Sequence, residues 1–137
     1  MRHAEEIKRR EISAVVVIGV FSPIDTSEIS QEEQVKRILL RELPYLDVVC
    51  SRDIGRVGFV ERENASILNA SILRYARRTI RGFQKAILDL DLACPLYLTQ
   101  NDGTVMDAET ACSTPIKTFS SGATVGISYP LFVTQSN

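Results

Sequence analysis

The run Ala14-Val15-Val16-Val17-Ile18-Gly19-Val20-Phe21 constrains this chain more than any other feature. It is apolar on both faces and dominated by β-branched side chains, whose stiffness suits a strand. A strand of that kind belongs inside a parallel sheet covered by helices. Ser22-Pro23-Ile24-Asp25 breaks the run, and Ser30-Gln31-Glu32-Glu33 has the S-x-x-E spacing of a capping box. Val35, Ile38, Leu39 and Leu43 follow at helical spacing up to Pro44, and Val48-Val49-Cys50 reads as the next strand. Strand, helix and strand joined by short connections predict a parallel pair with a right-handed crossover.

Downstream, the pattern predicts a loop over 52–58 and a long helix over 64–92. Leu68, Ile72, Ala76, Phe83, Ile87 and Leu90 would form its apolar face. A strand over 95–100 leads into Asn101-Asp102-Gly103-Thr104, where the glycine suits a positive φ. Asp107 is placed to cap a short helix through Cys112, and residues 116–119 read as a further strand ending at Ser120-Ser121-Gly122-Ala123. A short charged helix over 4–10 precedes the first strand. The alternation predicts an α/β fold, with a mainly parallel sheet of three or four strands flanked by helices. Composition marks no internal domain boundary.

Charge narrows the functional classes. Sixteen basic side chains against 17 acidic ones give a net charge of −1, so no global field draws the chain to nucleic acid or an anionic membrane. No apolar run is long enough to span a bilayer, and the first residues do not read as a signal peptide, which points to a cytoplasmic protein. One histidine, His3, and three scattered cysteines, Cys50, Cys94 and Cys112, offer neither a structural zinc site nor a disulfide framework. No metal site is expected from the chain itself. Cys50 and Cys94 read as small core residues.

Arg74, Arg77, Arg78, Arg81 and Lys85 recur at helical spacing and suit a solvated basic face better than a phosphate site, given the near-neutral net charge. Asn69, inside an apolar helical run, needs partners for its amide if buried. The turn Asn101-Asp102-Gly103 follows a strand end, and Ser121 and Gly122 follow the next one. If those strands are parallel neighbours, both turns emerge on the sheet edge where ligands collect. Gly103 and Gly122 would then allow positive φ or close approach. No serine or cysteine has the context of a catalytic nucleophile, so no catalytic residue is assigned.

Three ordered segments carry a family resemblance. They are Val60-Glu61-Arg62-Glu63-Asn64-Ala65-Ser66-Ile67-Leu68-Asn69-Ala70, then Pro95-Leu96-Tyr97-Leu98-Thr99-Gln100-Asn101-Asp102-Gly103-Thr104-Val105-Met106, then Pro115-Ile116-Lys117-Thr118-Phe119-Ser120-Ser121-Gly122-Ala123-Thr124. In order and spacing they resemble the hydantoinase/oxoprolinase family, the ATP-dependent cyclic-amide hydrolases and their acetone-carboxylase-type relatives. The similarity covers most of residues 4–124.

The resemblance implies part of a lobe of an actin-like, ribonuclease-H-like ATPase fold, with ATP and Mg²⁺ as cofactors of the intact family member and a small cyclic amide or ketone as substrate. It also implies two Asp-x-Gly-Gly-Thr phosphate loops, and neither occurs in these 137 residues. One is expected before Met1 and the other after the Ser-Ser-Gly turn. The chain therefore reads as a central section, a partial domain over 1–124 with a divergent tail over 125–137. Pro130-Leu131-Phe132-Val133-Thr134-Gln135-Ser136-Asn137 in that tail echoes the segment from Pro95 to Asp102. Asn69, Asn101, Asp102, Gly103, Ser121 and Gly122 are the substrate-binding or turn candidates. Alone, such a chain is expected to bind no cofactor and to need a complementary lobe or second subunit. The alternative is an inactive remnant that serves only as an interaction module.

Overall fold

A computed structural model describes residues 2–56 and 58–122. The expected tail over 125–137, its echo of the Pro95 segment, and the end of the third motif at Ala123-Thr124 lie outside the described residues. The chain divides into two compact units, Met1–Ser71 and Ile72–Asn137.

The first unit is built on the expected strand–helix–strand sequence. After helix α1 (Arg2–Arg9), strand β1 (Ala14–Val17) pairs in parallel with β2 (Asp47–Cys50), in the register Ala14↔Asp47 to Val17↔Cys50. Helix α2 (Gln31–Glu42) makes the crossover. It starts where the capping spacing places it: Ser30 Oγ accepts the Glu33 N–H at 3.2 Å. The box is half closed, because the Glu33 carboxylate turns outward to Arg37. Leu43, Leu46, Val49 and Cys50 are buried under the strands and helix. The first residues of the expected loop, 52–54, belong instead to a short helix α3 (Ser51–Ile54).

Helix α4 (Phe59–Asp89) begins five residues earlier than its sequence pattern suggested. Its inward side differs from the expected apolar face. Leu68, Phe83 and Leu90 are 54%, 58% and 69% exposed, whereas Arg62, Ser66 and Asn69 are buried in the first unit and Leu73 and Ile80 in the second. Steps of four, three, four and seven residues keep those five on one side of a helix. Polar partners at the strand ends, invisible to a hydropathy pattern, decide which side turns in.

In the second unit, β3 (Tyr97–Thr99) and β4 (Val105–Asp107) form an antiparallel hairpin with Tyr97↔Asp107, Leu98↔Met106 and Thr99↔Val105 paired. Helix α5 (Ala108–Ser113) follows, with Asp107 as its cap, as expected: Asp107 Oδ1 accepts the Thr110 N–H at 2.9 Å. Ile80, Met106, Ala108, Ala111 and Cys112 form the core, with Leu96 and Leu98 packed on it.

The fold is α/β, but among the described residues the mainly parallel sheet is corrected to two sheets of two strands, one parallel and one antiparallel. The connection between β3 and β4 explains this, because a parallel return needs a crossover of a dozen or more residues and a tight turn permits only a hairpin. The expected strand over 116–119 is also corrected. Pro115–Thr118 is a 3-10 turn, begun by a proline that has no N–H to offer a ladder and whose φ suits a first helical turn. No helix among the described residues is long and apolar enough to cross a membrane.

Candidate functional site

The Asn-Asp-Gly-Thr turn is closed by its own side chains. Asp102 Oδ1 accepts the Thr104 N–H at 3.0 Å and the Thr104 hydroxyl at 2.6 Å, and Gln100 Nε2 donates to that hydroxyl oxygen at 2.9 Å. Gln100 and Thr104 are also bridged along the backbone at 2.7 Å. Gly103 sits at φ 86°, a region that side chains disfavour, so the turn needs its glycine.

Asn101 ties this turn to the segment that ends at the serine pair. Its backbone N–H donates to the Lys117 carbonyl at 2.6 Å and its Nδ2 to the Ile116 carbonyl at 2.9 Å. Its Oδ1 accepts the Ser120 N–H at 2.7 Å. The two expected turns are therefore brought together within the second unit. The link is one asparagine clamp, in place of two parallel strands ending on a common edge. Ser121 Oγ donates to the Thr118 carbonyl at 3.0 Å, so that hydroxyl serves the turn.

Among the described residues a Cβ at Gly122 would meet nothing within 4 Å, and its φ is not in the positive range. Asn69 is fully buried in the first unit and has a partner, in keeping with its reading as a buried amide. The Thr104 hydroxyl, and then the Thr104 N–H, hold the Asp102 carboxyl below the ordinary range, so it is ionised at neutral pH. One carboxylate oxygen, Oδ1, closes the turn; no hydrogen bond of Oδ2 appears among the described residues.

A polar cluster that the sequence pattern missed lies in the first unit. Glu32 is 1% exposed and collects three donors: the Gly19 N–H and the Ser51 hydroxyl on Oε1, each at 2.6 Å, and the Arg52 N–H on Oε2 at 3.1 Å. Burial alone would push this carboxyl up, but those donors outweigh it and hold the group below its ordinary range. Arg62, also buried, donates to Ser51 Oγ at 2.9 Å and to the carbonyls of Gly19 at 2.7 Å and Arg56 at 3.2 Å. Ser51 thus bridges a buried carboxylate and a buried guanidinium. A side chain at Gly19 would be tight: a Cβ would stand 3.1 Å from Ser22 Cβ and 3.3 Å from Glu32 Oε1, so these neighbours would have to shift by a few tenths of an ångström. The one sequence signal for the cluster is the polar spacing of Arg62, Ser66 and Asn69, which is helical.

Other candidates settle into structural places. Arg74, Arg78, Arg81 and Lys85 face solvent, and Arg77 Nε donates to the Cys112 carbonyl at 3.1 Å. Cys50 and Cys112 are buried, and burial pushes the Cys50 thiol up to about 11, which leaves it inert. Cys94, expected in the core, is exposed because the segment before β3 runs along the surface. Among the described residues no three His, Cys, Asp or Glu side chains gather as a metal site would require.

The family model described as Hydantoinase/oxoprolinase matches residues 62–132, more than half of the chain. That span includes all six candidate residues and Arg62. No curated protein and no solved structure matches the chain.

Proposed function

The chain belongs to the hydantoinase/oxoprolinase family, and on that premise we propose that it forms part of an ATP-dependent hydrolase acting on the C–N bond of a cyclic amide. Its two units would be pieces of an actin-like lobe. The observation that carries this reading is the Asn101 clamp. It presents the Asn-Asp-Gly turn and the Ser-Ser-Gly turn side by side, within the span that the family model matches.

Family membership implies ATP and Mg²⁺ in the intact enzyme. The residues described here do not fit a metal on their own: no ligand cluster exists, and Asp107 has both carboxylate oxygens on Thr110. No Asp-x-Gly-Gly-Thr loop occurs in the 137 residues either. On this reading the groups that grip nucleotide phosphates come from elsewhere in the intact enzyme. This chain's contribution is to position the substrate. Asp102 keeps Oδ2 for an amide N–H of the ring, and Gly103 keeps the backbone low where the ring approaches.

A non-catalytic interaction module is the second reading. It is favoured by the large apolar side chains left in solvent, such as Leu68, Tyr75 and Phe119 at 54%, 76% and 73% exposure. Complementation separates the two. The chain is added to a family enzyme from which the segment equivalent to 62–132 has been deleted, and ATP-dependent opening of a hydantoin or 5-oxoproline ring is followed. Restored turnover supports the catalytic reading, and binding without turnover supports the module. ATP hydrolysis by the isolated chain above a denatured control contradicts both.

A further inference from the structure

We infer that the first unit carries a binding site for a small protonated amine with an apolar body, at the carboxyl end of β1. The inference concerns a different part of the chain from the Asn101 clamp and does not depend on the function proposed for it.

A cavity of about 930 Å³ opens between the loop after β1 and the start of α2. The carboxyl ends of parallel strands are where ligands of α/β folds bind, and the size is at the upper end for small-molecule sites. Its walls combine two kinds of surface. Val20, Phe21 and Ile24 line it and are 63%, 74% and 66% exposed, an apolar rim open to solvent. Between them stand acceptors. Asp25 is the only charged residue of the lining among the described residues. The Ser27 hydroxyl, and then the Ser27 N–H, lower its carboxyl below the ordinary range. Both Ser27 donors lie on Oδ1, while Oδ2 takes only a long contact from the Gln31 N–H at 3.4 Å. Gln34 spends its Nε2 on the Ile29 carbonyl at 3.1 Å, which leaves its own carbonyl oxygen as an acceptor. Ser22 also lines the cavity, 5% exposed, with its hydroxyl beside the Glu32 carboxylate.

The sign of the site follows from what surrounds it. Of the N–H groups that begin α2, that of Gln31 makes the long contact with Asp25 and that of Glu33 is taken by Ser30, while Glu32 and Glu33 place two acidic side chains in the first turn. An anion would meet the Asp25 carboxylate there, the charged group among the described lining residues. Arg52 is near enough to favour the ionised form of Asp25, but no ion pair joins the two among the described residues. A carboxylate oxygen and an amide carbonyl beside an apolar rim suit an ammonium group on a hydrocarbon body.

Titration calorimetry of the full chain with 2-phenylethylamine, 2-phenylethanol and phenylacetate tests this directly. The amine should bind at least tenfold more tightly than the other two, and Asp25→Asn, which keeps an acceptor for Ser27, should abolish that preference. Phe21→Ser should weaken the amine and the alcohol alike. Amide shifts in a nuclear magnetic resonance titration should fall within residues 18–34. An amine that does not bind, phenylacetate binding as tightly, a preference that survives Asp25→Asn, or shifts confined to β3 and β4 would each overturn the proposal.

Discussion

Asn101 Oδ1 accepts the Ser120 backbone N–H at 2.7 Å across nineteen residues of chain. The same amide donates from Nδ2 to the Ile116 carbonyl, so one side chain satisfies a donor and an acceptor of the same neighbouring segment. Asn101→Ala removes both bonds, each worth about 1 kcal/mol net. We expect the Ser120 amide to lose at least tenfold in hydrogen-exchange protection in that variant. Asn101→Asp keeps the acceptor and should leave Ser120 closer to the parent. Equal protection in all three chains would show that the clamp does not hold the turn.

The two glycines at 103 and 82 should respond to alanine with opposite signs. Gly103 lies at φ 86°, where a Cβ costs about 1–2 kcal/mol. Gly82 is inside α4, and a Cβ there meets nothing within 4 Å among the described residues. Gly82→Ala should stabilise by about 0.5–1 kcal/mol through helix propensity. Urea midpoints of both variants check the pair.

Acid should weaken the first unit through Glu32. Burial opposes its ionisation, yet the Ser51, Gly19 and Arg52 donors hold its folded value below 4.5. A group with a depressed folded value contributes fully above its unfolded value and loses that contribution as pH falls through the folded one. Glu32→Gln should therefore be less stable than the parent at neutral pH, and the difference should shrink below pH of about 4. Urea unfolding across that range measures it; a difference independent of pH contradicts the assignment.

Arg62 should matter more than any surface arginine. Its guanidinium is buried and serves Ser51 Oγ and the carbonyls of Gly19 and Arg56. Arg62→Met leaves these groups and the Glu32 carboxylate with less compensation, at a cost of about 3 kcal/mol. Arg62→Lys lacks the planar fork and should fall between. Arg78→Met, on the solvated face, should change stability by less than about 0.5 kcal/mol.

These outcomes bear on what the residues alone reveal. The parallel β1–β2 pair was legible because the Val15–Val16–Val17 run, the Ser30 cap and Val48–Val49 all point the same way. The Asp107 cap and the Gly103 turn are equally local, fixed by a few neighbouring atoms. The antiparallel partner of β3 and the 3-10 turn at Pro115 were less legible, since strand propensity does not name a partner. The Glu32–Ser51–Arg62 cluster was hidden for a different reason. Each member is a residue that usually faces water, and only contacts between distant parts of the chain bury them. At the candidate site both turns are visible, and Asn101 with them as a substrate-binding or turn candidate, but its bonds to residues 116 and 120 join parts of the chain whose meeting local spacing does not specify.

The most direct test of the account is the turnover of the complemented enzyme carrying Asp102→Asn. Asparagine keeps the oxygen that accepts from Thr104, so the turn and the melting temperature should be unchanged. Ring opening should fall by at least tenfold, because the charge on Oδ2 is gone. Turnover equal to that of the parent chain, or a loss matched by unfolding, would contradict a role for this turn in positioning the substrate.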